Sequence, residues 1–377
     1  MALFVTHAPA VGGAEVVLGR YLAQRPGEHG VLVLSSGPCG EYFAELGAHV
    51  QTLTTFDHSG STTRELGGAA ALRGAWTTTT GIRDVATALR KSGEQVVVSN
   101  SMKAHVVVPG VARLVGMRCG MRLHDVLDRE TTSGTARRLM QVSGRLSAST
   151  AAVSRAAAGA AVAAGIPRVA HFPNGVEVAA APLPDPDAPP LRLLTVSQLA
   201  RWKGVHDVLD AVAIARGDGQ SVELDVLGAP LFGDEDYERE LRARAEQADL
   251  AGAVRFHGHT DPRPHLAEAH AVVHLPVAAD PLPTTLIEAL AAGVPAVASR
   301  TGGIPEIVEH RRTGLLVEPG APAQAAAAFA ELADPSLRAD LRRESHRRAL
   351  ERFSIDVYVR SFDAWIESLA ARGAVAA

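Results

Sequence analysis

The chain has 377 residues, 47% of them hydrophobic, with 37 basic against 41 acidic side chains and a formal net charge of −4. That length exceeds one ordinary core and predicts two domains, while the mildly acidic balance argues against a nucleic-acid partner. No apolar run reaches the ~18 residues that span a bilayer. The N-terminal MALFVTHAPAVGG lacks the basic flank of a signal peptide, and Cys39 and Cys119 have no metal-ligand spacing, so a cytoplasmic chain without disulfide or cysteine metal site is expected.

Short β-rich apolar runs alternate with helical patterns along the whole chain, which predicts an α/β architecture of parallel sheets with crossover helices. In the first half, ALFVT, VLVLSS, HVQTL, QVVVSN, CGMRLHD, STAAVS and VAHFP read as strands, with helices over 14–24, 81–91, 103–115, 134–146 and 156–164. Gly12 and Gly13 follow the first strand as a tight turn, with Glu15 favouring the helix N-terminus behind them. No G-x-G-x-x-G occurs there, so the dinucleotide fingerprint is missing. A P-loop is missing too, and no G-x-S-x-G elbow or spaced His/Cys set occurs, which removes the common hydrolase and zinc readings.

Asn100, Ser101 and Lys103 follow the fourth strand, and His124-Asp125 ends the fifth. The first half is basic overall and the second acidic. Arg113, Arg118, Arg122, Arg129, Arg137, Arg138 and Arg145 cluster late in the first half, giving either a peripheral contact with anionic lipid at the inner face of a membrane or a solvated Arg-rich face.

AAAPLPDPDAPP, residues 179–190, holds five prolines and no apolar period, so it is expected to be a linker. Beyond it LRLLTVS, VELDVLG, AVRFHG, AVVHLPV, PAVASR and GLLVEP read as strands with helices between, and FSIDVYVRSFDAWIESLA as a closing amphipathic helix. The predicted layout is 1–178, the linker 179–190, 191–352, and a C-terminal helix in 353–377. Two doubly wound domains bind ligands at strand C-termini, so the expected site is the cleft between them.

Asp280 and Glu288 stand eight residues apart around the start of a helix that runs through Leu286, Ile287, Leu290 and Ala291 to Gly293. The free N–H groups and dipole of a helix start favour an anion such as a phosphate. Glu288, a turn deeper, suits the two hydroxyls of a ribose, and Asp280, on the preceding loop, suits a sugar on the other side of the phosphates. The combination points to a nucleotide sugar; the plain alternative is a solvated helix residue and a turn residue.

This segment resembles the signature of the retaining GT-B glycosyltransferases of family four: an acid, seven residues, Glu, then A-x-A-x-G-x-P-V-V-A and G-G-x-x-E. Glu288, Ala289, Ala292, Gly293, Pro295, Gly302, Gly303 and Glu306 match. Asp280 stands where the family usually has Glu. Leu282, Pro283 and Thr284 stand where it commonly has Phe-Gly-Leu, whose amides meet the donor, and Pro283 has no N–H to give. Ser197 to Gly204 resembles the family's G-R-L-x-x-x-K-G, whose Arg and Lys grip the donor diphosphate. Lys203 is in place, Gln198 replaces the Arg, and Arg201 is near enough in sequence to supply the lost charge.

The resemblance implies a GT-B fold of two facing Rossmann-like domains, an acceptor-side N-terminal one and a nucleotide-sugar-binding C-terminal one, with the last helix packing back on the first. It implies a retaining hexosyltransferase moving a sugar from a nucleotide-diphosphate donor to a glycan, lipid-linked or natural-product acceptor, without a metal or other cofactor. Asp280, Lys203 and His124 carry the catalytic roles. Gly12, Gly13, Gln198, Arg201, Lys203, His257, Leu282, Thr284, Thr285 and Glu288 meet the donor, and Asn100 and Lys103 fall on the acceptor side. Two alternatives stay open: a non-catalytic nucleotide-sugar or glycan-binding protein, and a GT-B sugar epimerase.

Overall fold

The computed structural model describes residues 1–371 apart from 9, 55–56, 58–67, 129–131 and 231–233. The chain divides into two compact units, Met1–Gly175 joined by the chain from Ile355 onward, and Val176–Ser354.

The first unit alternates β1 (Ala2–Thr6), α1 (Gly13–Ala23), β2 (Gly30–Val33), α2 (Cys39–Glu45), β3 (His49–Thr52), α3 (Gly68–Ser92), β4 (Val96–Ser99), α4 (Met102–Val115), β5 (Arg118–Leu123), α5 (Gly134–Leu146), β6 (Ser149–Ala152), α6 (Arg155–Ala163) and β7 (Val169–His171). Its strands form one parallel sheet ordered β3-β2-β1-β4-β5-β6-β7. β1 and β4 are buried at every residue, as strands covered on both faces must be. The order reverses between them, so the Gly12-Gly13 turn and the Asn100-Ser101 turn leave the sheet at its switch point, where open α/β sheets place ligands.

The second unit repeats the plan with β8 (Leu191–Val196), a 3₁₀ turn (Arg201–Lys203), α7 (Val205–Gly217), β9 (Val222–Leu227), α8 (Glu235–Ala245), β10 (Val254–Gly258), α9 (Pro262–Glu268), β11 (Ala271–His274), α10 (Thr284–Ala291), β12 (Ala296–Ser299), α11 (Ile304–Ile307), β13 (Gly314–Val317), α12 (Pro322–Glu331) and α13 (Pro335–Arg352). Its parallel sheet is ordered β10-β9-β8-β11-β12-β13, with the switch between β8 and β11.

The chain then returns to the first unit as α14 (Ile355–Ala371). Its Tyr358, Phe362 and Trp365 join Phe4, Tyr21 and Phe172 in one aromatic cluster. Gly120 of β5 makes room, since a Cβ there would stand 2.7 Å from the Trp365 ring. Arg122 lies wholly buried in the same cluster, its guanidinium 4.0 Å from the Phe172 centroid. It donates to the carbonyls of Ala152 and Phe172 and to Asn174 Oδ1. Burial lowers its pKa to about 10, which still leaves a cation held by ring faces and carbonyls.

Every strand expected from the apolar runs is present. The helix expected over 81–91 is the C-terminal part of the longer α3. The Pro-rich stretch 179–190 is not a free linker: it lies within the second unit, and the chain divides earlier, after Gly175. Asp185 is clamped by Arg338 and Arg342 of α13. Leu183 donates its N–H to Ala292, and the Ala179 carbonyl meets His346 Nε2 at 2.9 Å. Prolines remove the apolar period, but charged anchors on another element still fix the path. The basic cluster is also corrected. Arg122 is buried, Arg118 donates to the Leu369 carbonyl, and Arg129 lies outside the described residues, which leaves Arg113, Arg137, Arg138 and Arg145. No described helix is long and apolar enough to cross a membrane.

Candidate active site

At the switch point of the second unit, the loops after β8 and β11 bring Lys203 and Asp280 together, with Nζ 2.7 Å from Oδ2. The same oxygen lies 2.8 Å from Nε2 of His274, the last residue of β11. All three side chains are largely shielded from water: Asp280 is 3% and His274 2% exposed. Burial alone would raise the Asp280 pKa, but the Lys203 ammonium, seconded by His274, outweighs it and holds the carboxyl at about 2. Burial lowers the His274 pKa, so the imidazole is neutral and donates to the carboxylate. Sequence reasoning missed His274; its one signal is a polar residue closing the fully buried run of β11.

Two glycines fix this geometry. Gly204 caps the 3₁₀ turn at φ +68°, and a Cβ there would sit 1.8 Å from the Leu275 carbonyl oxygen. Gly302 has φ +56°, and its Cβ would meet the Asp280 carbonyl oxygen at 2.1 Å, while the N–H of Gly303 donates to that same oxygen at 2.8 Å. The Gly-Gly turn therefore grips the main chain of Asp280 directly, which is why only glycine fits.

α10 starts next to this cluster in sequence, with Pro283 as its N-cap and no side chain capping it, so Thr284 and Thr285 present first-turn amides. Pro283 thus stands outside the helix, where its lack of an N–H leaves the first turn intact. Leu282 is buried. Glu288 lies one turn in, partly exposed on a helix whose Leu286, Ile287, Ala289 and Leu290 are buried. Gln198 is partly exposed after β8. Arg201 is drawn to α8, where its guanidinium pairs with Glu240 and lies 5.1 Å from the Tyr237 centroid.

In the first unit, Gly12 caps α1 and donates its N–H to Glu15 Oε2, while Glu15 Oε1 accepts from the Thr6 hydroxyl at 2.8 Å. Gly13 borders open space: nothing lies within 4 Å of where its Cβ would be. His124 Nε2 is 3.0 Å from Asn100 Oδ1, and Asn100 Nδ2 donates to the Ala14 carbonyl. That chain of bonds assigns the proton to Nε2 and leaves Nδ1 as an acceptor. Burial, with Arg122 and His105 behind it, holds the His124 pKa well below its ordinary value. The imidazole is therefore neutral, with Nδ1 suited to accept from a hydroxyl. Asn100 is buried with both ends of its amide used, so it orients His124. Lys103 is exposed, with Nζ 3.5 Å from His7 Nε2.

His257, expected on the donor side, turns its ring to Asp225, 2.8 Å away, and packs against His265. The ligand atoms of Asp225, His257 and His265 lie within 4.8 Å of one another. Two imidazoles and a carboxylate are a donor set for a borderline divalent ion. Arg255, 3.0 Å from the same carboxylate oxygen, already neutralises it.

Residues 185–348 match the family model described as glycosyl transferases group 1. The chain is 35% identical over 149 residues to the amylovoran biosynthesis glycosyltransferase AmsK of Erwinia amylovora, covering 37% of this chain and 35% of that protein. It is 31% identical over 190 residues to a glycogen synthase of Mycobacterium tuberculosis, covering 49% and 45%. The matched segment thus spans less than half the length of these curated relatives. Among solved structures, Anabaena HepE in complex with UDP and glucose superimposes with a TM-score of 0.82 at 23% identity, covering 97% of this chain and 99% of that one. Lys203, Asp280 and Glu288 all lie inside the segment that matches the glycosyl transferases group 1 model, and the chain around it has the two-sheet GT-B fold.

Proposed function

We propose that the chain is a retaining glycosyltransferase that takes a hexosyl unit from a nucleotide-diphosphate sugar. The observation that carries this is the buried Lys203–Asp280–His274 cluster beside the uncapped start of α10. The departing nucleotide diphosphate gains negative charge at the transition state, and an ammonium and a helix N-terminus are the groups that stabilise it. Lys203 is the donor-diphosphate cation, held ready by Asp280 until phosphate competes for it. Thr284 and Thr285 add amides, and Glu288 accepts from the ribose hydroxyls. Leu282 and Gln198 border the same ligand. Asp280, fixed by His274, faces the sugar with its other oxygen.

The reaction breaks the bond from the anomeric carbon to the phosphate oxygen and forms one to the acceptor oxygen on the same face. The leaving phosphate takes the acceptor's proton. This route calls for no metal cofactor. HepE with UDP supports a uridine donor, and the acceptor class is a glycan, a lipid-linked glycan or a small-molecule scaffold. Thermal-shift screening against UDP-, GDP-, ADP- and dTDP-sugars tests the donor: one nucleotide class should stabilise the chain, and no shift with any of them would refute the reading.

A second reading, a nucleotide-sugar-binding protein without turnover, is favoured by one observation. The carboxylate oxygen of Asp280 already serves both Lys203 and His274, in a loop one methylene short of the family's Glu.

A further inference from the structure

Five of the large apolar side chains exposed on this molecule lie on two neighbouring helices of the first unit: Val106 and Leu114 on α4, and Leu139, Val142 and Leu146 on α5. Leu114 is 78% and Val142 52% exposed. They form one strip, because the Leu146 side chain reaches Gly110, midway between Val106 and Leu114.

α5 is inverted relative to an ordinary surface helix. Its inward face carries Met140 and the small Ser143 and Gly144, with Ile166 packed into the space where a Gly144 Cβ would stand. Its outward face repeats Arg138, Leu139, Val142, Arg145 and Leu146 at helical spacing. Neither α4 nor α5 contains an acidic residue, and Arg113, Arg138 and Arg145 are exposed beside the apolar strip.

We propose that this α4–α5 face is a docking surface for an anionic lipid bilayer, with Leu139, Val142, Leu146 and Leu114 entering the headgroup boundary and Arg113, Arg138 and Arg145 meeting lipid phosphates. Interleaved leucines and arginines on one helix face are what interfacial helices present to charged membranes. A nucleic acid would satisfy the arginines but give the leucines and valines no partner. A two-fold contact with a second copy would bring two such faces together with no acidic residue of α4 or α5 on either to offset the arginines, at a repulsive cost. The surface is independent of the glycosyl-transfer reading, since docking needs neither donor nor acceptor.

Co-sedimentation of the full chain with vesicles tests it. Vesicles of equal parts phosphatidylcholine and phosphatidylglycerol should carry the chain down, vesicles of phosphatidylcholine alone should do so at least tenfold less, and about 0.5 M salt should weaken the association. The pairs Leu139→Ser with Val142→Ser, and Arg138→Glu with Arg145→Glu, should each lower partitioning at least tenfold while circular dichroism stays unchanged. No sedimentation of the parent with anionic vesicles, equal binding by the variants, or a parent dimer that these substitutions dissociate would overturn the proposal.

Discussion

Lys203 Nζ and Asp280 Oδ2 stand 2.7 Å apart at the switch point of the second sheet, although 77 residues separate them along the chain. The pair is shielded, with the Lys203 side chain 15% and that of Asp280 4% exposed. Each is therefore the other's charge partner in the folded protein, and each changes what removal of the other does.

Lys203→Ala should lose both stability and turnover. Removing one member of a buried pair leaves a carboxylate uncompensated, at a cost of about 3–5 kcal/mol, and losing the cation that meets the leaving group should slow transfer by about 10²–10³-fold. Lys203→Met combined with Asp280→Asn separates the effects. Urea unfolding should recover to within about 1 kcal/mol of the parent, while the initial rate stays low. Full activity in the double variant would remove both residues from the mechanism.

Acid stability should depend on Asp280. Its folded pKa, about 2, lies below the unfolded value of about 3.9, so the stabilisation it contributes is complete above that value and disappears as pH falls through about 2. The contribution is about 3 kcal/mol. Unfolding free energies at pH 5 and pH 3 should differ less in Asp280→Asn than in the parent; an identical slope would show that Asp280 is not held ionised by Lys203.

Arg201→Ala should leave donor KM within about threefold of the parent, because the guanidinium is engaged by Glu240 in an exposed pair and such pairs contribute little. A tenfold rise in KM would mean that Arg201 leaves Glu240 and supplies the cation missing at Gln198.

Gly204→Ala should destabilise the second unit by more than ~3 kcal/mol, since a methyl group cannot share the space of the Leu275 carbonyl at a positive φ. The melting temperature reads this directly. A Tm within a degree of the parent's would show that the turn relaxes.

The central strands were legible because they are buried on both faces, so β1, β4, β11 and β12 appear as short, mostly apolar runs that need no partner information. The positions of Lys203 and Asp280 after the ends of β8 and β11 were legible from the motifs that carry them. His274 was not, because its role depends on an oxygen six residues away that only the Gly302-Gly303 turn brings into reach. Asn100 looked like an acceptor contact because the sequence does not show that His124 and the Ala14 carbonyl use its amide. The path of 179–190 was hidden for a similar reason: the arginines that clamp Asp185 lie on α13, more than 150 residues on in the chain. Asp225, His257 and His265 meet across two strands and a helix, with no spacing motif to announce them.

Release of free nucleotide from UDP-, GDP-, ADP- and dTDP-sugars, measured with and without a range of glycan acceptors, tests the central claim most directly. The account predicts steady release from one donor class by the parent and at least 100-fold slower release by the Lys203→Met, Asp280→Asn double variant. A parent that binds one of these donors yet frees no nucleotide under any of these conditions would contradict it and leave the binding reading in its place.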